Sequence, residues 1–74
     1  MAMLPIRCPS GLRLARKILG RTQIELADDL DLSRRCIQEM ESGRLPIQLR
    51  TAQAIAWLLV SQGKLQISEA DTLI

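Results

Sequence analysis

The chain has 74 residues, a formal net charge of +2 and a composition in which 47% of residues are hydrophobic while only one, Trp57, is aromatic. This length suits one domain, and a core of Leu, Ile, Ala, Val and Met suits packed helices. No apolar run approaches the roughly 20 residues of a membrane span, and the first residues lack the pattern of a signal peptide. We therefore expect a single cytoplasmic, all-α domain over residues 1–74.

The charges are unevenly distributed along the chain. Residues 1–22 carry five basic side chains and no acidic one, whereas residues 23–43 carry six acidic side chains and two arginines. A small domain polarised in this way can present a basic surface to nucleic acid while its total charge stays modest. The alternative is that these charges are solvated and have no partner.

The chain offers little that suits a metal site or catalysis. Its two cysteines, Cys8 and Cys36, stand apart, and there is no histidine or tyrosine. Zinc normally needs four ligands at short paired spacings, and a disulfide is not expected in a cytosolic helical chain. We therefore expect no metal, no cofactor and no enzymatic activity; a redox role for Cys36 is the alternative to two ordinary thiols.

The N-terminal part is predicted to be an arm followed by one helix. The first ten residues contain Pro5 and Pro9 and cannot form a long helix, so we expect an arm or a strap over the core. A first helix is predicted over residues 11–19, with Ser10 as its N-cap and Gly20 at its end. Its apolar side comprises Leu12, Ala15, Ile18 and Leu19.

A second helix is predicted over residues 23–30. Thr22 and Glu25 have the T-x-x-E spacing of a capping box, in which each residue binds an otherwise unsatisfied amide of the other. The buried side of this helix is predicted to comprise Ile24, Leu26, Ala27 and Leu30.

A tight turn and a third helix follow. At Asp31 we expect a left-handed backbone, which Asp tolerates better than most residues. Leu32 then enters the core, and Ser33 caps a helix over residues 34–42 that Gly43 ends. The inward-facing residues of this helix are Ile37 and Met40. Two helices with so short a turn indicate a helix-turn-helix unit, whose second helix enters the major groove of DNA.

A fourth helix is predicted from Leu49 onward, after a loop that contains Pro46. One side of it comprises Leu49, Ala52, Ile55, Ala56 and Leu59. Residues 54–60 are apolar on all sides, however, and such a helix needs cover on both sides. Because so small a domain cannot supply that cover, we predict a dimer interface at Trp57, Leu58 and Val60. The alternative is that Trp57 lies under the C-terminal tail.

The C-terminal tail, residues 61–74, has two alternative structures. The alternation in residues 64–67 indicates a short strand, whereas residues 68–71 are suited to cap a last helical turn that ends at Ile74. The predicted organisation is thus an arm over residues 1–10, a helical core over residues 11–60, and a tail that is a candidate dimerisation element.

Nineteen positions between residues 12 and 59 carry a recognisable pattern in register. They are Leu12, Arg13, Arg16, Gly20, Thr22, Gln23, Glu25, Leu26, Ala27, Leu30, Leu32, Ser33, Ile37, Glu41, Gly43, Pro46, Leu49, Ile55 and Ala56. This stretch resembles the Cro/cI–XRE family of helix-turn-helix repressors. The resemblance implies the lambda-repressor-like fold, a compact bundle of four to five helices that binds double-stranded DNA.

The resemblance also implies roles for individual residues. The positions that contact bases in relatives correspond to Arg34, Arg35, Gln38 and Glu39, and those that contact phosphates correspond to Thr22, Gln23, Ser33, Arg44 and Arg50. Arginine favours the O6/N7 edge of guanine and glutamate accepts from cytosine N4, so we expect a half-site that contains G/C pairs. Arg16 and Glu41 match a pair that is a buried, structural ion pair in relatives.

Two residues depart from the family pattern. Asp31 replaces the usual turn glycine, which costs stability. Arg21 replaces an apolar residue, which loses a core contact and offers a phosphate contact instead.

Three classes of function follow from these observations. The leading hypothesis is a homodimeric transcriptional repressor on an inverted-repeat operator, an autoregulator from a phage, plasmid or other mobile element that works at the bacterial nucleoid without a small-molecule ligand. The second is an antitoxin or adaptor that binds a protein partner through the fourth helix and the tail. An enzyme is the weakest of the three.

Overall fold

A computed structural model of the chain describes residues 4–74, except for the side chain of Asp71. Its helices, in chain order, are α1 (Pro9–Ile18), α2 (Gln23–Asp29), α3 (Arg34–Ser42), α4 (Leu49–Ser61) and α5 (Ile67–Leu73). The predicted all-α bundle is confirmed. The strand proposed for residues 64–67 is wrong, because the chain bends at residues 64 and 65 and then begins α5. Residues 1–3 of the predicted arm lie outside the described residues.

Helix α1 begins two residues earlier than the sequence suggested. Cys8 rather than Ser10 is the N-cap, and Pro9 is the first helical residue. Proline is favoured at this position because its φ is already helical and because it lacks the N–H that would be unsatisfied there. The sequence pattern misplaced the start because serine is usually the better capping residue.

Residues 4–8, which precede α1, form a strap over the core, one of the two forms predicted for the N-terminal residues. Ile6 is fully buried, and its amide donates a hydrogen bond of 2.9 Å to the carbonyl of Leu73. Gly11 permits the strap to pass close to α1, since a Cβ there would lie 1.7 Å from the carbonyl oxygen of Pro5. The strap therefore ties the N-terminal part of the chain to α5.

Helices α2 and α3 have the caps and the turn that the sequence predicts. The hydroxyl of Thr22 accepts from the amide of Glu25 at 3.1 Å, and the Glu25 carboxylate accepts from the amide of Thr22 at 2.9 Å. The hydroxyl of Ser33 accepts from the amide of Cys36 at 3.2 Å. Asp31 has a φ of 57°, which is the expected left-handed conformation.

The core draws on every helix and on the strap. Its buried hydrophobic residues are Ile6, Leu12, Ala15, Leu19, Leu26, Ala27, Ile37, Met40, Ile47, Ala52, Ile55, Ala56, Leu59, Ala70 and Leu73. Ile18, Ile24 and Leu49, which the periodicity placed on buried sides, are instead 38%, 54% and 46% exposed. All three lie at a helix end, where periodicity alone does not show which side the neighbouring helices cover.

Helix α4 crosses the middle of the domain and packs against both α1 and α5. Its N-cap, Gln48, and that of α5, Gln66, make no capping hydrogen bond through their side chains. Packing rather than capping therefore holds this part of the domain. Among the described residues, no helix has both the length and the apolar character that crossing a membrane requires.

Candidate nucleic-acid interface

The exposed face of α3 carries the candidate base contacts. Arg34 and Arg35 are the first two residues of the helix, directly after the Ser33 cap, and both are exposed. Gln38 is also exposed and lies one turn later. Residues three and four apart are neighbours on a helix surface, so these three side chains share one face. The face is polar and bears two positive charges close to the start of the helix.

Glu39 belongs to the same face, but its carboxylate already has a partner. Arg35 Nε donates to Glu39 Oε1 at 3.2 Å across one helical turn. The Arg35 side chain is 85% exposed, and exposed pairs of this kind contribute little to stability, typically about 0.3–0.5 kcal/mol. The pair places the guanidinium of Arg35 beside an acceptor and uses its Nε, whereas its Nη groups donate no hydrogen bond within the described residues.

A hollow of about 310 Å³ lies where α1, α2 and α3 meet, beside the start of α2. It is lined by Arg16, Thr22, Gln23, Ile24 and Arg34. The hollow thus brings together two of the residues predicted to contact phosphate and one predicted to contact a base. Arg34 beside the amides at a helix N-terminus favours a bound anion, whereas the guanidinium of Arg16 is paired with a carboxylate.

Beneath this hollow, one carboxylate ties the three helices together. Glu41, only 5% exposed, accepts two hydrogen bonds from Arg16, at 2.7 Å from Nε and 3.2 Å from Nη2. Gln23 Nε2 donates to the same carboxylate at 3.4 Å. Arg13 lies 3.5 Å from it and also donates to the Glu41 carbonyl at 3.1 Å. The Glu41 network, as we call Glu41 with Arg13, Arg16 and Gln23, fixes α3 against α1 and α2.

The network keeps Glu41 ionised in spite of its burial. Burial raises the pKa of Glu41, but the hydrogen bonds and positive charge of Arg16, with further hydrogen bonds from Gln23 and Arg13, lower the pKa below its ordinary value overall. A carboxylate near the C-terminal end of a helix is disfavoured by the helix dipole unless cations compensate it. The two arginines supply that compensation.

Arg21 lies on the acidic side of α2 and not toward the hollow. Its guanidinium makes two hydrogen bonds of 2.9 Å to the two carboxylate oxygens of Asp29, and it lies 3.5 Å from Glu25. The group that was expected to offer a phosphate contact is therefore already held by carboxylates. In return, the negative charge of Asp29 is neutralised by this pair.

The remaining candidate phosphate contacts lie apart from the hollow. Arg44 follows Gly43, which ends α3 with a φ of 83°, and its side chain is exposed. Arg50 is exposed near the start of α4 and lines a second hollow of about 280 Å³ together with Asp31. Ser33 is exposed and uses its hydroxyl oxygen as a cap acceptor, which leaves the hydroxyl proton available to an anion.

A separate apolar patch lies between α4 and α5. Trp57 and Ile67 are 65% and 66% exposed, so the alternative that the tail covers Trp57 is wrong. The patch encloses a groove of about 140 Å³ lined by Gln53, Ala56, Trp57, Val60, Ile67, Ala70 and Ile74. Leu58, which was predicted to share this surface, is half-buried, packs against the core and does not line the groove.

Sequence reasoning missed three residues of these surfaces. Arg13 shares a face of α1 with Arg16, and the spacing of three residues was the available signal for its place beside Glu41. Ile24 was assigned to the core, although it lies about 160° around α2 from Leu26 at the pitch of an α-helix. Ile67 was assigned to the strand alternative over residues 64–67, and nothing in the sequence indicated that it would lie beside Trp57.

A family model described as helix-turn-helix matches residues 12–59, about two thirds of the chain. These are the residues over which the resemblance was predicted, and the match includes α2, the turn and α3. No curated protein and no solved structure gives a match.

Proposed function

Because the chain belongs to the Cro/cI–XRE family of helix-turn-helix DNA-binding transcription regulators, we propose that it is a repressor that binds an inverted-repeat operator as a homodimer. Domains of this family bind DNA and are not normally enzymes. The observation that carries the proposal is the exposed polar face of α3, which the Ser33 cap and the Glu41 network hold in place. A helix held in this way presents its side chains to the major groove in a fixed orientation.

In the proposed complex, α3 reads the bases. Arg34 and Arg35 bind guanine O6 and N7, Glu39 accepts from cytosine N4, and Gln38 contacts a neighbouring base. The Arg35–Glu39 hydrogen bond uses Nε, so the two Nη groups of Arg35 remain available to one guanine. A half-site with G/C pairs follows from this assignment.

Phosphates of the same half-site occupy the surface around α3. Thr22 and Gln23 bind one phosphate at the hollow, where Arg16 and Arg34 add positive charge. Ser33, Arg44 and Arg50 bind the backbone on the other sides of the reading helix. Because Gln23 also donates to Glu41, its side chain is oriented before DNA arrives.

The second copy of the chain binds at Trp57 and Val60. Two-fold dimers use the same patch on both subunits, and the described side chains that line the groove between α4 and α5 are all uncharged, so they do not repel their copies in a second chain. Leu58 supports this surface from the core and is not in direct contact. Two reading helices of such a dimer must lie about 34–36 Å apart to enter successive major grooves.

The test is a selection of bound sequences from a random pool of double-stranded DNA, repeated at low and at moderate salt. We expect an inverted repeat with G/C pairs in each half, and the spacing between the halves gives the dimer geometry directly. Recovery of no sequence above background by folded protein would contradict DNA recognition by this chain.

Substitutions on α3 then test the assignment of bases. Arg34→Ala and Arg35→Ala should each weaken binding by about 1–3 kcal/mol and relax the preference at one position of the half-site. Lys64→Ala, which removes an exposed positive charge between α4 and α5, is the matched control. If both arginine variants keep the wild-type base preference, α3 is not the reading helix.

We further propose that the chain represses its own promoter in a phage, plasmid or other mobile element, at the bacterial nucleoid and through its concentration alone. A reporter gene placed behind the selected operator should be silenced in proportion to the amount of protein. Activation of that reporter would contradict a repressor role.

A protein-binding role, as an antitoxin or adaptor, is the second candidate. The exposed pair Trp57 and Ile67 favours it, as does the acidic side of α2. Salt separates the two candidates, because DNA binding through several phosphates weakens steeply as salt rises whereas an apolar protein contact does not.

A further inference from the structure

An exposed isoleucine lines the hollow at the start of α2, whose other lining residues are polar or charged. Ile24 is 54% exposed and lines this hollow together with Arg16, Thr22, Gln23 and Arg34. The other large hydrophobic residues exposed in the described part of the chain are Leu4, Ile18, Leu49, Trp57 and Ile67. None of those lines the hollow, so Ile24 is its one large apolar side chain among the described residues.

The position of Ile24 is fixed by the capping box. Thr22 is the N-cap of α2, so Ile24 is the second residue of the helix and points away from the side that buries Leu26. It contributes neither to the core nor to the apolar patch at Trp57. An isoleucine that remains half-exposed here gains burial only from a partner that enters the hollow.

In the proposed complex a phosphate lies at Thr22 and Gln23, so the partner left for Ile24 is a base edge on the Arg34 side of the same hollow, and the chemistry of the major groove identifies it. The groove is lined by hydrogen-bond donors and acceptors except at the C5 position of pyrimidines, where thymine carries a methyl group. Arg34, in the same hollow, provides the donors that suit guanine. We propose that Ile24 reads the C5 methyl group of a pyrimidine next to the guanine bound by Arg34, an inference that rests on the proposed function.

Contact with one methyl group has a measurable size. Burying one such group contributes about 0.8 kcal/mol, which corresponds to about a fourfold change in affinity. The effect is specific to one base and does not resemble the loss of a phosphate contact, which weakens all sequences equally. Thymine supplies the methyl group in ordinary DNA and 5-methylcytosine supplies the same group in modified DNA.

The experiment removes the methyl group from the DNA. Each thymine of the selected half-site is replaced in turn by uracil, and the dissociation constant is measured by fluorescence anisotropy for the wild type and for Ile24→Ala. We expect one position at which uracil weakens wild-type binding about fourfold and leaves Ile24→Ala unchanged. If the wild type also binds DNA with 5-methylcytosine at that position more tightly than DNA with cytosine there, the methyl group itself is the recognised feature.

The controls keep this inference separable from the proposed function. Ile18→Ala, which shortens an exposed isoleucine outside the hollow, should respond to uracil as the wild type does, and Ile24→Val retains part of the contact if Ile24→Ala proves unstable. If an operator is selected but uracil has the same effect on the wild type and on Ile24→Ala at every position, Ile24 does not read a methyl group. Failure to select any operator would contradict the proposed function instead.

Discussion

The two halves of the domain are held together by different kinds of contact. The half formed by α1, α2 and α3 has side-chain caps on α2 and α3, though not on α1, and a buried carboxylate, Glu41, shared among the three helices. The half formed by α4 and α5 has no side-chain cap at either helix and is held by apolar packing. It also leaves Trp57 and Ile67 largely exposed.

The difference corresponds to two kinds of interaction. Hydrogen bonds and ion pairs are directional, so the first half fixes the angle of α3, which a helix that reads bases requires. Apolar contacts are not directional, and the second half presents an exposed apolar surface that gains from further burial. In the proposed function, a half that reads DNA bases and a half that binds a second copy of the chain thus share one core.

Removing the centre of the Glu41 network should have the largest effect. Loss of one partner of a buried ion pair costs about 3–5 kcal/mol, and because Arg13 remains half exposed to solvent we expect Glu41→Ala to fall near 3 kcal/mol. Unfolding by urea, followed by circular dichroism, measures this loss. Glu39→Ala removes the same side chain from the exposed face of α3 and should cost about 0.5 kcal/mol or less. Equal losses in the two variants would show that the buried network does not hold α3.

Acid should remove part of the same stabilisation. The pKa of Glu41 is lowered in the folded state, so its contribution is complete above the unfolded value of about 4.3 and is lost as the pH falls through the folded value. The difference in unfolding free energy between the wild type and Glu41→Gln should therefore be largest near neutral pH and shrink in acid. The pKa of Glu25 is also lowered, chiefly by hydrogen bonds from Thr22, but Glu25 is present in both proteins, so it does not contribute to this difference. A difference that does not change with pH would contradict a lowered pKa for Glu41.

The structure of these two halves could also be predicted from the sequence to different degrees. Local rules were sufficient where the chain uses caps and turns, as at Thr22, Asp31 and Ser33, because each depends on a few neighbouring residues. They failed where tertiary packing decides the outcome. Ile24 has an apolar side chain but faces outward.

The same limit applies to α5 and to pairs across helices. The tail was ambiguous because its capping signal, at residues 68–71, lies inside α5, whose actual N-cap, Gln66, makes no side-chain hydrogen bond. The helix is placed instead by its packing against α4 and by the contact of its last turn with the strap at Ile6. The pair of Arg16 with Glu41 came only from the family resemblance, since nothing local relates residues 25 positions apart. The additional bond from Gln23 to Glu41 required the structure.

The apolar half should respond to a substitution that leaves its fold intact. If Trp57 lies at the centre of the proposed dimer interface, Trp57→Ala removes about 2 kcal/mol or more of binding energy, a change of at least about thirtyfold in the dimer dissociation constant. The unfolding free energy of the monomer should change little, because Trp57 is 65% exposed. Sedimentation equilibrium measures the first quantity and urea unfolding of dilute protein the second. Ile18→Ala, an exposed apolar control on α1, should leave both unchanged; a Trp57→Ala protein that dimerises as the wild type does would rule out this interface.

The smallest predicted effect concerns the helix caps, and it comes from removing a cap in one half and adding one in the other. Ser33→Ala removes the cap of α3 and should cost about 1 kcal/mol. Gln48 precedes α4 with φ −70° and ψ 151°, nearly the backbone conformation of Ser33 at φ −82° and ψ 154°. Gln48→Ser should therefore stabilise the domain by about 0.5–1 kcal/mol, since a serine there meets a free amide in a conformation that already suits capping. Urea unfolding of each single variant and of the double variant measures these changes in unfolding free energy. In the double variant, the loss from Ser33→Ala and the gain from Gln48→Ser should nearly cancel. No gain from Gln48→Ser would mean that the first amides of α4 are already satisfied, and that the two halves differ less than their caps indicate.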